Sequence, residues 1–142
     1  MPLTSFGSIL TFAEEIETQD NAFYSGVVDN PECTRLKSLI EPFIKESKKN
    51  IVIIQRTRRE NVTEMILEPI QDFIREPFCI KKKDAKSMSE AKALETMKTI
   101  EQRSLDYYTT SSKKMKSLPE VANALRLLGK KHNARLRKIN DI

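Results

Sequence analysis

Glu17, Glu101 and His132 are the residues on which chemistry could be built. Two acids and the chain's single histidine would, if brought together, form a proton-sharing group or a small metal shell, since carboxylate and imidazole donors together suit a divalent metal. The glutamates stand in matching settings: Ile16-Glu17 precedes Phe23-Tyr24, and Ile100-Glu101 precedes Tyr107-Tyr108 at the same offset. Taken singly, a glutamate beside an apolar stripe belongs at the helix surface. Were both to face inward, each would raise the other's pKa, and a proton, a metal or a cationic partner would have to lie between them. His132 falls on an apolar stripe, where a lone histidine ordinarily packs as a hydrogen-bonded core residue. Its neutral form could bond Tyr24, Glu17 or Glu101. Tyr24, Tyr107 and Tyr108 read as core aromatics whose hydroxyls need partners.

Other familiar chemistries lack their parts. The chain has no second histidine for a triad, no glycine-rich phosphate loop and no serine in a nucleophile elbow. Cys33 and Cys79 are not spaced as a redox or zinc pair. No catalytic residue is assigned, and the reading leans away from an enzyme.

The elements that would position the three residues are helices. Ile9, Ala13, Ile16, Asp20, Phe23 and Val27 recur at spacings of three and four and predict a helix from about Ser8 to Val28, with Asp20 the polar member of its stripe. Asn30 or Asp29 can cap the next helix, with Pro31 in its first turn. Leu36, Ile40, Ile44, Ser47, Ile51 and Ile54 carry that helix towards Arg59, and Pro42 predicts a kink or short break near Ile40. Residues 61–86 read as a connector with a helical turn at Val62 to Leu67 and an apolar cluster of Phe73, Ile74, Phe78 and Ile80. Ser87-Met88-Ser89-Glu90 has capping-box spacing and predicts the start of a third helix through Leu94, Met97, Glu101, Ser104 and Tyr108. Ser117-Leu118-Pro119-Glu120 repeats the pattern ahead of a fourth, with Val121, Leu125, Leu128, His132 and Ile139 on one stripe. Glutamate, aromatic pair and Pro-Glu helix start thus occur twice in the same order.

At these residues the chain resembles the rubrerythrin-like branch of the ferritin-like superfamily. The resemblance implies an all-α ferritin-like four-helix bundle made of two hairpins, about residues 8–60 and 87–142, joined by the long 61–86 crossover within one domain, 1–142. It also implies a two-iron centre held by a Glu from each of two helices and a Glu-x-x-His from each of the others. Glu17 and Glu101 match the single-Glu positions, but no Glu-x-x-His occurs in the chain. Gly129 stands three residues before His132, and Ser47 and Asn50, or Ile44 and Ser47 if Pro42 shifts the register, stand where helix two would supply its pair. At most three of the six side chains remain, so the full centre is expected to be lost and no cofactor is expected. The alternative is a reduced iron or other divalent-metal site at Glu17, Glu101 and His132, serving an oxidoreductase or iron-handling protein.

Composition sets the remaining bounds. At 39 % hydrophobic residues the chain can build one core, while 32 % charged residues and only three glycines favour helices over sheets with tight turns. Two cysteines are too few for a disulfide framework, and no leader is evident, so a cytoplasmic location is the default. No apolar run approaches the roughly 20 residues that cross a bilayer. The net charge of +5 gathers at Arg56-Arg58-Arg59, at Lys81-Lys82-Lys83 and from Lys130 to Lys138. Without interleaved aromatics these runs read as solvated helix faces, and nucleic-acid binding through the basic C-terminal helix is the lesser alternative. The leading expectation is a structural or interaction protein that forms a homodimer, with Phe73, Ile74, Phe78 and Ile80 as the candidate pairing surface.

Overall fold

Ser5 opens the first helix by a reciprocal bond: its Oγ accepts from the Ser8 amide at 3.1 Å, and the Ser8 Oγ accepts from the Ser5 amide at 3.2 Å. Beyond it the computed structural model, which describes residues 3, 5–61 and 73–142, is built of four α-helices. They are α1 (Phe6–Val28), α2 (Lys37–Glu60), α3 (Glu90–Lys114) and α4 (Pro119–Asn140). There is no strand among the described residues. α1 packs chiefly on α2, and α3 on α4, with lighter contacts between α2 and α4 and between α1 and α3.

Helix boundaries follow local chemistry, in places differently from the sequence reading. The Asn30 Oδ1 accepts from the Glu32 amide at 2.9 Å and Pro31 follows in the first turn, as expected, but the turn is a 3-10 helix, Pro31–Leu36. The backbone leaves helical geometry at Cys33 (φ −112°, ψ 23°), before α2 begins, whereas α2 runs unbroken through Pro42. The expected break near Ile40 is therefore absent. Pro42 and Ser38, whose carbonyl it leaves without a helical donor, are both exposed, so water can solvate the freed oxygen.

The third helix starts two residues later than its Ser-x-x-Glu spacing suggests. Ser89 is the cap, its Oγ accepting from the Lys92 amide at 3.2 Å, while Ser87 closes a 3-10 turn, Ala85–Ser87, and bonds Asp84. Asn30 explains the delay: its Nδ2 donates to the carbonyls of Ala85 at 2.9 Å and Met88 at 2.7 Å, committing both to the first hairpin. The fourth helix has no side-chain cap. Leu118 precedes it, and Pro119 needs no partner at the first position.

A polar layer divides the core into two apolar clusters. Ile9, Ala13, Ile16, Ile54, Tyr107, Tyr108, Val121, Leu125 and Leu128 belong to one. Tyr24, Val27, Leu36, Ile40, Phe43, Met97, Ile100 and Ile139 belong to the other. α1 thus begins in the first cluster and ends in the second, while α3 does the reverse. Of the segment between α2 and α3, the expected turn at 62–67 lies outside the described residues. Phe73 is buried in the first cluster, Phe78 packs against it, and Ile80 packs against the second. Only Ile74 of the four is exposed, so the proposed pairing surface is largely consumed by this chain's own core. Aromatic contact accounts for this, with Phe73 stacked on Tyr107 and Phe78 edge-on to both.

Candidate functional site

Four helices each send side chains into the polar layer, and Glu17, Glu101 and His132 meet there with no solvent exposure. The surface position expected for either glutamate is overturned. Their helices bury a face wide enough to take in the position beside the stripe, as the burial of both Ile16 and Glu17, and of both Ile100 and Glu101, records. The His132 ring lies between them, its Nδ1 2.5 Å from Glu101 Oε1 and its Nε2 2.8 Å from Glu17 Oε1. Both ring nitrogens meet carboxyl oxygens, and with both glutamates ionised the doubly protonated imidazolium satisfies them by donating twice. Tyr108 stacks on the ring at 5.4 Å.

Second partners cross between hairpins. The Tyr24 hydroxyl donates to Glu101, and the Tyr108 hydroxyl donates to Glu17 Oε1 at 3.3 Å. Asn50 Nδ2 donates to Glu17 Oε1 at 2.9 Å, and Lys131 Nζ donates to Asn50 Oδ1 at 3.3 Å. Arg135, one helical turn beyond His132, places Nη1 3.5 Å from Glu101 Oε2. It is held there by Nε donation to Glu46 at 2.8 Å and Nη2 donation to Ser47 Oγ at 3.2 Å, with its plane over Phe43.

A second ion pair adjoins this group. Asp20 accepts from Arg103 through Oδ1 and from the Ser104 hydroxyl at 3.0 Å through Oδ2. Arg103 Nη1 also donates to the Phe78 carbonyl at 3.1 Å, and Gln19 Nε2 donates to the Ile80 carbonyl at 2.8 Å. The layer's charge is thereby tied to the segment that covers it.

The electrostatics follow from burial set against neighbours. Burial alone would strip His132 of its proton, but Glu17 and Glu101 outweigh it and raise its pKa to about 10. Burial would equally raise the two glutamates, yet His132 and Arg135 hold both below the ordinary carboxylate value. Asp20 is pushed up to about 7 by burial and by Glu101 and Glu17, against the pull of Arg103. The tyrosine hydroxyls of Tyr24 and Tyr108 are driven well above their usual value by burial and the glutamates, and so stay donors.

Three cations, His132, Arg103 and Arg135, thus oppose three carboxylates, Glu17, Glu101 and Asp20. Sequence reasoning brought the histidine and glutamates together but left out Arg103 and Arg135. Arg135 lies inside the basic Lys130 to Lys138 run, read as solvated, yet it is 2 % exposed. Its position three residues beyond His132 was the available signal.

The donor set does not fit a two-metal centre. Ser47 and Asn50 offer no anionic oxygen, and Arg135 brings positive charge to the fourth helix's share. A single ion is better matched: ligand atoms of Asp20, Glu101 and His132 lie within 4.8 Å of one another, and Glu17 Oε2 is buried without a hydrogen-bond partner. Among the described residues no helix is long and apolar enough to cross a membrane. Comparison with protein-family models, curated proteins and solved structures finds no match to this chain.

Proposed function

We propose that this chain is a ferritin-like four-helix bundle in which protein cations have taken the place of a di-iron centre, and that it acts as a structural or interaction protein. The observation that carries this is His132, seated between Glu17 and Glu101 with both ring nitrogens engaged. An imidazolium there supplies the positive charge that two buried carboxylates require, and the tyrosine and asparagine donors satisfy further lone pairs. The placing of the apolar clusters supports the crossover. α2 ends beside the first cluster and α3 begins beside the second, and of the described residues between them Phe73 lies in the first cluster and Ala85 in the second, as a crossover requires.

Elemental analysis of protein purified without a histidine tag tests the reading. Iron, manganese and zinc all well below one per chain, and an unchanged melting temperature after incubation with Fe(II) or Zn(II), are expected. Stoichiometric metal that is lost in Glu17→Ala/Glu101→Ala overturns it.

That outcome belongs to a second reading, a mononuclear site at Glu17, Glu101 and His132 with Asp20 added. It is favoured by the unpartnered Glu17 Oε2 and by the close approach of the Asp20, Glu101 and His132 ligand atoms. A metal ion would have to displace the imidazole proton and coexist with Arg135, which makes binding weaken as pH falls. A homodimer would use a surface other than Phe73, Phe78 and Ile80, and light scattering at micromolar concentration reads it directly: a dimer mass is expected, and a monomer removes that part of the proposal.

A further inference from the structure

Charge is divided unevenly among the helices. α1 carries four acids and no lysine or arginine, whereas α4 carries six lysines and arginines and a single acid, Glu120. Between α3 and α4 lies an outer groove of about 790 Å³. It extends from Leu105 to Lys116, about 17 Å at about 1.5 Å per residue.

The groove carries charge of one sign. Lys113 and Lys116 line it from the end of α3, and Arg126 and Lys130 from α4. All four are exposed, and none forms an ion pair with a described carboxylate. No carboxylate is among the described residues of the lining. Asp106, next to Leu105 in the chain, lines a different cleft and accepts from Gln102 at 2.9 Å. Two other clefts mix their signs. Glu14, Glu15, Asp20 and Asp84 stand among the lysines of the one beside α1, and Asp106 stands with Lys98 and Arg103 in the other.

The remaining lining suits phosphate better than a ring or an alkyl chain. Thr109 and Asn133 add a hydroxyl and an amide, groups that join lysine and arginine in contacts to phosphate oxygens. Leu105, Pro119, Ala122 and Gly129 are its apolar members, and no described aromatic ring lines it.

We propose that this groove seats one sugar-phosphate strand of duplex nucleic acid, bound by charge and not by sequence. A duplex strand presents a phosphate about every 3.4 Å, so about five pass along the groove and four cations can meet them. With no ring to stack on, unpaired bases gain nothing here, which favours a duplex over a single strand. A flat lipid surface does not enter a concave groove. A lining in which three of four cations are lysine also differs from protein interfaces, where lysine is depleted. The proposal is independent of what occupies the bundle centre.

Fluorescence anisotropy with a labelled duplex of about 20 base pairs, as DNA and as RNA, between about 50 and 200 mM salt tests it. The binding constant should fall with a log–log slope of about −3 to −4, for four phosphates neutralised, or about a hundredfold across that range. Lys113→Gln/Lys130→Gln should make the slope shallower by about two, with helical circular dichroism unchanged. Lys81→Gln/Lys82→Gln, on the cleft of mixed sign, should leave the slope as it is. Absence of binding by both duplexes at the lowest salt, a slope that the groove variant does not change, or an equal change in the Lys81/Lys82 variant overturns the proposal. So does tighter binding of a single strand, of polyglutamate or of phosphatidylserine vesicles, because each identifies a different occupant.

Discussion

The Tyr24 hydroxyl, on α1, ends on the Glu101 carboxylate of α3, so the first hairpin satisfies the acid of the second. Tyr108 returns the contact to Glu17. Each glutamate therefore depends on the other hairpin for a donor, while His132 joins the two acids directly. Between the two apolar clusters that both hairpins share, the polar cohesion of the bundle is concentrated in these few buried contacts.

Removing the histidine tests that concentration. His132→Leu leaves two buried carboxylates facing each other without their cation, a change that costs about 3–5 kcal/mol. Adding Glu17→Gln and Glu101→Gln removes the repulsion and should recover a large part of the loss. Urea unfolding of the single, double and triple variants reads the coupling. Costs that simply add would show that the histidine acts by packing alone.

The pH profile should have its maximum on the acid side of neutrality. His132 sits at about 10 against 6.5 when free, so its contribution is complete below pH 6.5 and disappears as pH rises through 10. Glu17 and Glu101 are held below 4.5, so theirs is present above 4.5 and is lost as pH falls through the lowered values. Asp20, at about 7 against 3.8, favours the fold below 3.8 and loses that preference as pH rises through 7. Stability should therefore peak near pH 4.5, decline towards 7 as the Asp20 contribution is lost, and go on declining from 6.5 to about 10 as that of His132 is lost. Asp20→Asn should flatten the first decline and leave the second, as unfolding free energies across pH 4–11 would record. An NMR titration of Asp20→Asn in which the His132 ring nitrogens show loss of the imidazolium proton between pH 6 and 7 contradicts this assignment.

How far the site could be read from sequence depended on whether a side chain's partner was local. The stripes placed Ile16, Asp20, Tyr108, Leu125 and His132 inside because helical period alone decides that. Arg135 escaped notice because a run of basic residues has a sound solvent-facing explanation, and only Glu101, Glu46 and the Phe43 ring reveal the other. The start of α3 was misjudged for a similar reason. Ser87 has the better local spacing, but Asn30, far away in sequence, takes the Met88 carbonyl that a helix beginning there would use, and holds the Ala85 carbonyl ahead of it. Phe73 and Phe78 suggested an outer surface because nothing nearby in sequence covers them, whereas Tyr107 does so from α3.

Asn30 offers the sharpest separation of these effects. Asn30→Asp keeps the oxygen that caps Glu32 but removes the donor to Ala85 and Met88. Asn30→Ala removes both. The aspartate variant should lose about 1–3 kcal/mol through the unpaired carbonyls, and alanine a further 0.5–2 or so for the cap. Hydrogen exchange should quicken around residues 85–90 in both variants, and around 32–36 only in Asn30→Ala. Equal behaviour of the two variants would contradict the division of roles.

Gly26 meets residue 85 so closely that a Cβ there would lie 2.8 Å from the Ala85 Cβ. Something must move, and Ala85 is buried on a turn held by Asn30, so it cannot yield as a flexible side chain would. Gly26→Ala should therefore destabilise despite alanine's better helix propensity, with overpacking costing about 1–3 kcal/mol against about 1 kcal/mol gained in the helix. The double variant Gly26→Ala/Ala85→Gly exchanges the methyl group across the contact and relieves the clash. It should regain most of the single variant's loss in thermal unfolding. A single variant more stable than the parent would mean that residues 80–86 shift freely against α1.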